Sequence, residues 1–493
     1  MPVRFYKTNS DVSKSKKYDK IIKHDRSKLL LSHFRLHEEG VPIVILISGN
    51  HASGYPHIVN LLNEWMDTRF IETHVYQPNT DEEAERPYFW KYWRTYPEAG
   101  KISLHVGGWY TEPYINRLDG NLSADKMDDM IISINRFEEL LSADGVLLIK
   151  IWLELDEDSQ KANIQELSNR PYFAWQVTMD DWQNSHNFEE RLALANEFME
   201  RTDKMHSPWF KIDAKDPLER DISVMHLVTE MFEKRLNGSK PKEYEFRKKA
   251  KKPAKTNHLG QLDMTASLKR KKYLKKMDTY RESLYIRAWE MYLRKKSIVL
   301  VFEGADAAGK GGAIRRLIRC LDARLYRVIQ IAAPTKQEIS RHYLWRFWMQ
   351  IPRAGFMTIY DRSWYGRVLV ERVEGFASEG EWRRAYEEIN QFEKELTDSG
   401  TIVLKFWLEI SKEEQLKRFE KRKKTEYKQY KLTDEDWRNR EKRSAYDDAA
   451  NDMIEYTNTS YAPWHVIPAE DKKFARIEVL KSLDNALKKV LGA

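Results

Sequence analysis

The sequence has almost no cysteine and no long hydrophobic run. Among 493 residues there is one cysteine, Cys320. No disulfide can form within the chain, and a zinc site built on cysteines is excluded. The longest apolar stretches, such as Val41–Ile47, have the length of a strand. None approaches the ~18–20 residues needed to cross a bilayer. The thirteen histidines show no HExxH spacing. The opening segment Met1–Lys20 has no apolar core of the kind a secretory signal needs. The expectation is a cytoplasmic protein without a membrane segment.

Neither charge sign dominates. Lys and Arg number 84 against 76 acidic residues, a net charge of +8. That excess suits an anionic partner, and it equally suits simple solubility. Hydrophobic residues make 41% and charged residues 32%, which gives apolar content for sizeable cores and excludes wholesale disorder. At roughly 100–200 residues per domain, the length predicts two to four domains.

The strongest organising signal is internal repetition. Displaced by 255 residues, Val44–Met66 falls on Val299–Leu321, and Tyr88, Trp90 and Trp93 fall on Tyr343, Trp345 and Trp348. Trp109-Tyr110 falls on Trp364-Tyr365, and Asn135, Phe137 and Glu138 fall on Asn390, Phe392 and Glu393. Lys150, Trp152 and Glu154 fall on Lys405, Trp407 and Glu409, Trp182 on Trp437, and Pro208-Trp209 on Pro463-Trp464. The displacement holds from about Lys16 to Leu236 without a gap. The expected organisation is a mobile N-terminus (1–15), a first domain (16–237), a basic linker (238–258) and a second domain (259–493). The linker carries two prolines and no apolar period.

Within the second repeat, Ser297–Phe302, Arg327–Ala332, Phe356–Tyr360, Thr401–Leu408 and His465–Pro468 are short apolar runs that read as buried strands. Helical patterns fall between them, at Glu282–Lys296, Ala313–Leu321, Lys336–Gln350, Glu379–Ser399, Lys412–Lys424, Thr433–Asn458 and Lys472–Val490. Strand–helix alternation predicts an α/β fold, with a parallel sheet flanked by helices in each of two tandem domains.

The segment Gly304–Gly312, GADAAGKGG, fits G-x-x-x-x-G-K directly after a predicted strand and before a predicted helix. That is the context of a phosphate-binding loop. Gly304 and Gly309 let backbone N–H groups turn inward, the helix start adds a positive dipole end, and Lys310 adds a point charge. The bland alternative is a glycine-rich strand–helix turn. Position 311 departs from the common pattern, because Gly311 stands where Ser or Thr usually binds Mg²⁺. A metal bridging Asp306 and phosphate would make that carboxylate favourable inside the loop; otherwise Asp306 caps loop backbone. Asp361 ends a predicted strand, where P-loop folds place a metal-binding acid, and Arg362 and Arg367 follow as forked phosphate ligands. The alternative there is a structural Asp–Arg pair.

Ser411–Arg443 holds thirteen Lys/Arg and eight acids, with Arg418, Lys421, Arg422, Lys423 and Lys424 crowded together. This reads as a solvated helix face or as a lid that neutralises a polyanion. The first repeat differs at these positions. Tyr55 stands for Lys310, His51 for Asp306, Val106 for Asp361, Gly107 for Arg362 and Glu112 for Arg367. Its lid counterpart, Asp156–Phe188, has two Lys/Arg and six acids. The expectation is a domain that keeps the fold and has lost phosphate and metal binding.

These segments together, EGADAAGKGG (Glu303–Gly312), PTKQE (Pro334–Glu338), YLWRFW (Tyr343–Trp348), YDRSWYGR (Tyr360–Arg367) and Lys405–Arg422, resemble the polyphosphate kinase 2 family through the whole second domain. The first domain resembles it as a degraded copy. The resemblance implies two tandem P-loop kinase-like domains and Mg²⁺-dependent transfer of a terminal phosphoryl group from inorganic polyphosphate to a nucleotide. It implies catalytic roles for Asp306, Lys310, Asp361 and Arg362, with Asp306 and Asp361 holding the metal. It implies phosphate or nucleotide contacts from Gly304, Ala307, Ala308, Gly309, Gly311, Gly312, Arg367, Arg418, Lys421, Arg422 and Lys423. The tandem arrangement and Gly366–Phe376 resemble the class that converts AMP to ADP. Rival readings are an ADP acceptor, an ATP-dependent nucleoside monophosphate kinase, and a binding module without turnover. Nucleic acid is not the expected partner, and homo-oligomerisation stays open.

Overall fold

The structure, a computed structural model, describes residues 4–5, 15–50, 52–76, 79–169, 187–238, 253–426 and 434–492. The expected linker residues 239–252, most of the expected N-terminal arm, His51 and Trp182 lie outside them. The chain forms two compact units. Unit 1 comprises Met1–Pro78, Tyr92–Tyr244 and Ile339–His342; unit 2 comprises Asn79–Lys91, Glu245–Glu338 and Tyr343–Ala493.

Unit 1 contains strands β1 (Arg4–Phe5), β2 (Ile43–Gly49), β3 (Ile71–Val75), β4 (Ile102–Val106), β5 (Leu147–Glu154) and β6 (Trp209–Asp213). Its principal helices are α1 (Ser15–Glu38), α2 (Tyr55–Trp65), α3 (Ala124–Ala143), α4 (Glu157–Asn169), α5 (Phe188–Thr202) and α6 (Pro217–Leu236). The sheet order is β1-β6-β5-β2-β4-β3, and every pairing is parallel. Ile43, Ile45 and Ile47 of β2 are almost wholly buried, as a central strand covered on both faces requires. They pack with Leu29, Leu62, Val224 and Phe232 from helices.

Unit 2 contains β7 (Ile298–Gly304), β8 (Tyr326–Gln330), β9 (Met357–Asp361), β10 (Ile402–Glu409) and β11 (Trp464–Pro468). Its principal helices are α7 (Arg270–Leu293), α8 (Lys310–Leu317), α9 (Glu379–Asp398), α10 (Lys412–Lys423), α11 (Asp434–Glu441), α12 (Arg443–Thr457) and α13 (Lys472–Leu491). The parallel order β11-β10-β7-β9-β8 repeats five of the six strands of unit 1, with no described counterpart of β1. Each strand lies 255 residues after its counterpart: Ile43 and Ile298, Ile71 and Tyr326, Ile102 and Met357, Leu147 and Ile402, Trp209 and Trp464. The predicted α/β architecture of two parallel sheets flanked by helices is therefore the observed one.

Three predicted helices differ from the structure. Lys336–Gln350 is two short helices, Lys336–Ile339 and Trp345–Trp348. The first buries nothing, whereas Phe347 and Trp348 turn into the core against Trp364 and Phe392. One straight helix cannot present both faces. Thr433–Asn458 is broken at Lys442 into α11 and α12. α7 starts twelve residues before Glu282, because its inward stripe is only Met277, Leu284, Ala288 and Met291. Residues 253–258 of the expected linker also have partners. The Ala254 N–H donates to Asp452 Oδ1 (2.6 Å), and His258 Nε2 lies 2.7 Å from Glu455 Oε2. Among the described residues no helix is long and apolar enough to cross a membrane.

Candidate active site

The loop after β7 is shaped by one close approach. A Cβ on Gly304 would run into the carbonyl oxygen of Leu408 on β10, and its φ of 139° also suits glycine alone. The chain then turns through Ala307, itself left-handed at φ 63°, to Gly309, and α8 begins at Lys310. The first N–H groups of α8 therefore open onto the loop. Lys310 Nζ folds back onto the carbonyls of Gly304 (2.6 Å) and Ala305 (3.4 Å), which holds the ammonium within the loop.

Parallel register brings the second segment here. Phe302 of β7 pairs with Asp361 at the end of β9. Among the described residues the Asp361 carboxylate has neither a hydrogen bond nor an ion pair. Its Oδ2 lies 3.5 Å from where a Cβ on Gly311 would stand. At that distance a Cβ would make only ordinary contact with the carboxylate, so space does not dictate the glycine. Arg362 takes φ 66°, a left-handed conformation that costs a non-glycine residue roughly 1–2 kcal/mol. Its Nη2 reaches Asp306 Oδ1 at 3.2 Å. Asp306 Oδ2 accepts from Asn439 Nδ2 at 2.9 Å, and the Asp306 carbonyl accepts from Gln415 Nε2 at 3.1 Å.

Beneath the loop lies Glu303, 5% exposed, with Ser363 Oγ donating to its carboxylate at 2.8 Å. Burial pushes its carboxyl above the usual carboxylate range, against the pull of Lys310 and Arg362. Glu303, Asp306, Lys310, Arg362, Asn439 and Tyr446 are among the residues that enclose a cavity of about 90 Å³. A second cavity, about 760 Å³, shares Arg443 and Asp447 with it and is walled by residues 253–260 and α12.

Other expected ligands lie elsewhere. Arg418 is 5% exposed, and its donors are all occupied. Nε bonds Glu414, Nη1 the carbonyls of Ala307 and Ala308, and Nη2 those of Ala469 and Glu470. In this geometry it clamps the loop from behind. Arg367 pairs with Glu371 (3.1 Å) and stacks over Tyr343 (4.5 Å). Lys421, Arg422 and Lys423 form the last turn of α10 and do not line the cavity. Behind α8, Lys472 and Arg476 at the start of α13 crowd other cations. Burial and the charges of Arg418, Arg476 and Lys421 lower Lys472 to about 8, and burial together with Arg316 and Arg315 lowers Arg476.

Sequence reasoning did not single out Glu303, Gln415, Asn439 or Tyr446. For Glu303 a signal existed, an acid near the end of the apolar strand IVLVFEG. Asn439 carries no such mark, and its partner lies 133 residues away.

Hard oxygen ligands suit a cation such as Mg²⁺, which is commonly bound by one or two carboxylates plus substrate phosphates. Asp361, next in sequence to the arginine that pairs with Asp306, fits that pattern although it does not line the 90 Å³ cavity itself. Among the described residues no group of three or more His, Cys, Asp or Glu forms a complete cage.

In unit 1 the corresponding loop is closed by its own side chains. The Arg220 guanidinium fills the space beside Gly54, donates to the Ser53 carbonyl (3.0 Å) and pairs with Asp221 (2.8 Å). Unit 2 has Ala475 at the position of Arg220.

The family model described as "Polyphosphate kinase 2" matches residues 12–240 and again 267–491. A polyphosphate:AMP phosphotransferase of Pseudomonas aeruginosa is 40% identical over 478 residues, 95% of each chain. One of Acinetobacter johnsonii is 36% identical, covering 90% of this chain and 91% of the relative. A crystal structure described as a putative polyphosphate kinase 2 from Pseudomonas aeruginosa superposes with a TM-score of 0.87 at 38% identity, over 98% of each chain. With the family pattern found twice along its length, the chain belongs to the polyphosphate kinase 2 family.

Proposed function

We propose that the protein is a polyphosphate:AMP phosphotransferase, moving the terminal phosphoryl group of inorganic polyphosphate onto AMP to give ADP. The observation that carries this reading is one cavity enclosed by the P-loop, Lys310 and the Arg362–Asp306 pair. It occurs in a chain that is 40% identical, end to end, to a protein of that activity. We assign the chemistry to unit 2, with Asp306, Lys310, Asp361 and Arg362 as its catalytic residues.

An α-phosphate oxygen of AMP forms the new bond to the terminal phosphorus. The anhydride bond to the chain breaks, and the shortened chain leaves as an anion. The attacking oxygen is already ionised at neutral pH, so no strong base is required. Catalysis is then positioning plus charge stabilisation. Lys310 and the N–H groups at the start of α8 hold the transferring group, and Arg362 meets charge on its equatorial oxygens. Asp306 and Asp361 are the residues that would hold Mg²⁺, which supplies further charge neutralisation when bound. The crowded cations Lys472, Arg476 and Arg316 favour a long polyanionic donor over a compact one; their unit 1 counterparts are Pro217, Asp221 and Leu61. The larger cavity beyond Arg443 and Asp447 has room for the acceptor's nucleoside.

We assign no substrate to unit 1, where Tyr55 replaces Lys310 and Arg220 fills the loop. The 238–258 segment joins the two domains, and the enzyme acts in the cytoplasm, in keeping with its single cysteine. The test is product analysis with AMP, polyphosphate and Mg²⁺ in the absence of ATP. ADP is expected. ADP formed only when ATP replaces polyphosphate would favour a nucleoside monophosphate kinase, and ATP formed from ADP alone would favour the ADP acceptor.

A further inference from the structure

We propose that Asn439 and Tyr446 are positioning residues that tie the P-loop to another wall of the cavity, so that binding at one is felt at the other. The inference rests on the reading of this cavity as the transfer site. Its basis is one continuous run of contacts. Asp306 in the loop is held through Oδ1 by Arg362 and through Oδ2 by Asn439 Nδ2, at 2.9 Å. The other end of the Asn439 amide, Oδ1, lies 3.1 Å from the Tyr446 hydroxyl. That hydroxyl is also 3.3 Å from Glu374 Oε1, so its single proton serves two acceptors. Lys442 Nζ holds the other oxygen of Glu374 at 2.7 Å. Glu374 ends the short helix Val370–Val373, and Leu369 and Val370 line the same cavity as the loop residues Gly304–Asp306.

The break between α11 and α12 makes the run geometrically available. Asn439 belongs to α11 and Tyr446 to α12, and the chain turns at Lys442 between them. An unbroken helix would separate residues seven apart by about 10 Å along its axis. At Lys442 the backbone leaves helical geometry (φ −87°, ψ 15°), and amide and hydroxyl meet at 3.1 Å across it. A carboxylate held at one oxygen can rotate; one held at both cannot. Asn439 therefore fixes the direction in which Asp306 presents its charge, and Tyr446 makes that direction depend on the Glu374 wall. Unit 1 has Arg191 and Asp119 at the positions of Tyr446 and Glu374.

The experiment uses the full chain and the variants Tyr446→Phe, Asn439→Ala and their double. Tyr446→Phe removes one hydroxyl and keeps the ring, so its Tm is expected to stay within about 2 °C of wild type. In the wild type, KM for AMP is expected to fall roughly 5-fold or more as polyphosphate rises to saturation. In each single variant that dependence disappears and kcat falls about 10-fold. Because the two residues act as one unit, the double variant is no worse than the worse single. A wild type without the dependence, variants that keep it, or losses that multiply in the double variant would each overturn the proposal. If the wild type makes no ADP from AMP, the acceptor reading fails on its own. The tie is then read in amide hydrogen exchange of residues 434–441, which Tyr446→Phe must accelerate; unchanged exchange would overturn it.

Discussion

Unit 1 and unit 2 share five sheet strands in the same order and differ at the loop after the central strand, and the difference separates residues of the fold from those proposed for the chemistry. Both bury the same ion pair at the same displacement. Lys150 lies 2.7 Å from Glu138 and Lys405 lies 2.7 Å from Glu393, all four side chains without exposure. In both, a Trp N–H and a Tyr hydroxyl donate to the glutamate, and the lysine reaches a threonine carbonyl, Thr202 or Thr457. The backbone is shared too. Ala52 and Ala307 are both left-handed, as are Gly107 and Arg362. At that last position unit 1 has the relaxed residue and unit 2 the strained one. A left-handed arginine in a turn that glycine fits better is the kind of strain that motivates the catalytic role proposed for it.

The comparison can be broken most severely at the shared pair. Lys405→Met leaves Glu393 buried without its partner and is expected to cost about 3–5 kcal/mol, and Lys150→Met about as much. Urea denaturation measures both. A joint Glu393→Gln and Lys405→Met change should recover most of the loss, because no buried charge is left unpaired.

Acid should separate the two units next. His33 in unit 1 is 1% exposed among Phe34, Phe70 and Phe232, and among the described residues neither ring nitrogen has a hydrogen-bond partner. Burial lowers its pKa from 6.5 to about 4. Unit 2 has Ala288 at that position. The unfolded chain binds the proton more readily, so stability is complete above pH 6.5 and is lost as pH falls through about 4. The loss approaches roughly 3 kcal/mol for His33 alone. Burial also lowers His74 and His105, which unit 2 replaces with Ile329 and Tyr360. Thermal melts between pH 7 and 4 should show unit 1 yielding first, and His33→Leu should narrow the gap.

The smallest effect on stability is the most pointed. Arg362→Gly gives unit 2 the residue that unit 1 already has. It should raise stability by about 1 kcal/mol, because the strain is relieved and the half-exposed ion pair to Asp306 contributes little. Turnover should nevertheless fall on the order of 100-fold or more. A variant that is more stable and fully active would remove the reason for keeping the arginine.

The repeat was legible because tryptophans and glycines mark fixed points, and five strands of each unit begin at the displacement those marks define. The loop was legible because its residues are neighbours in the chain. The helix expected at Lys336–Gln350 was not, since its hydrophobic pattern serves two different faces. Nor was the clamp by Arg418. A charge run reads alike whether its members face solvent or, as here, reach loop carbonyls 110 and 111 residues away. Asn439 and Tyr446 escaped for the same reason, since their partners are supplied only by the folded chain, whereas Glu303 stood as an acid near the end of an apolar strand.

The central claim is that one unit carries the reaction and the other keeps only its fold. The direct measurement is ADP formation from AMP and polyphosphate by Lys310→Ala beside wild type. The account predicts a loss on the order of 10²–10³ in rate with the Tm unchanged. A Lys310→Ala protein that retains half of its turnover would contradict it, because the remaining activity would have to come from the loop that Arg220 fills.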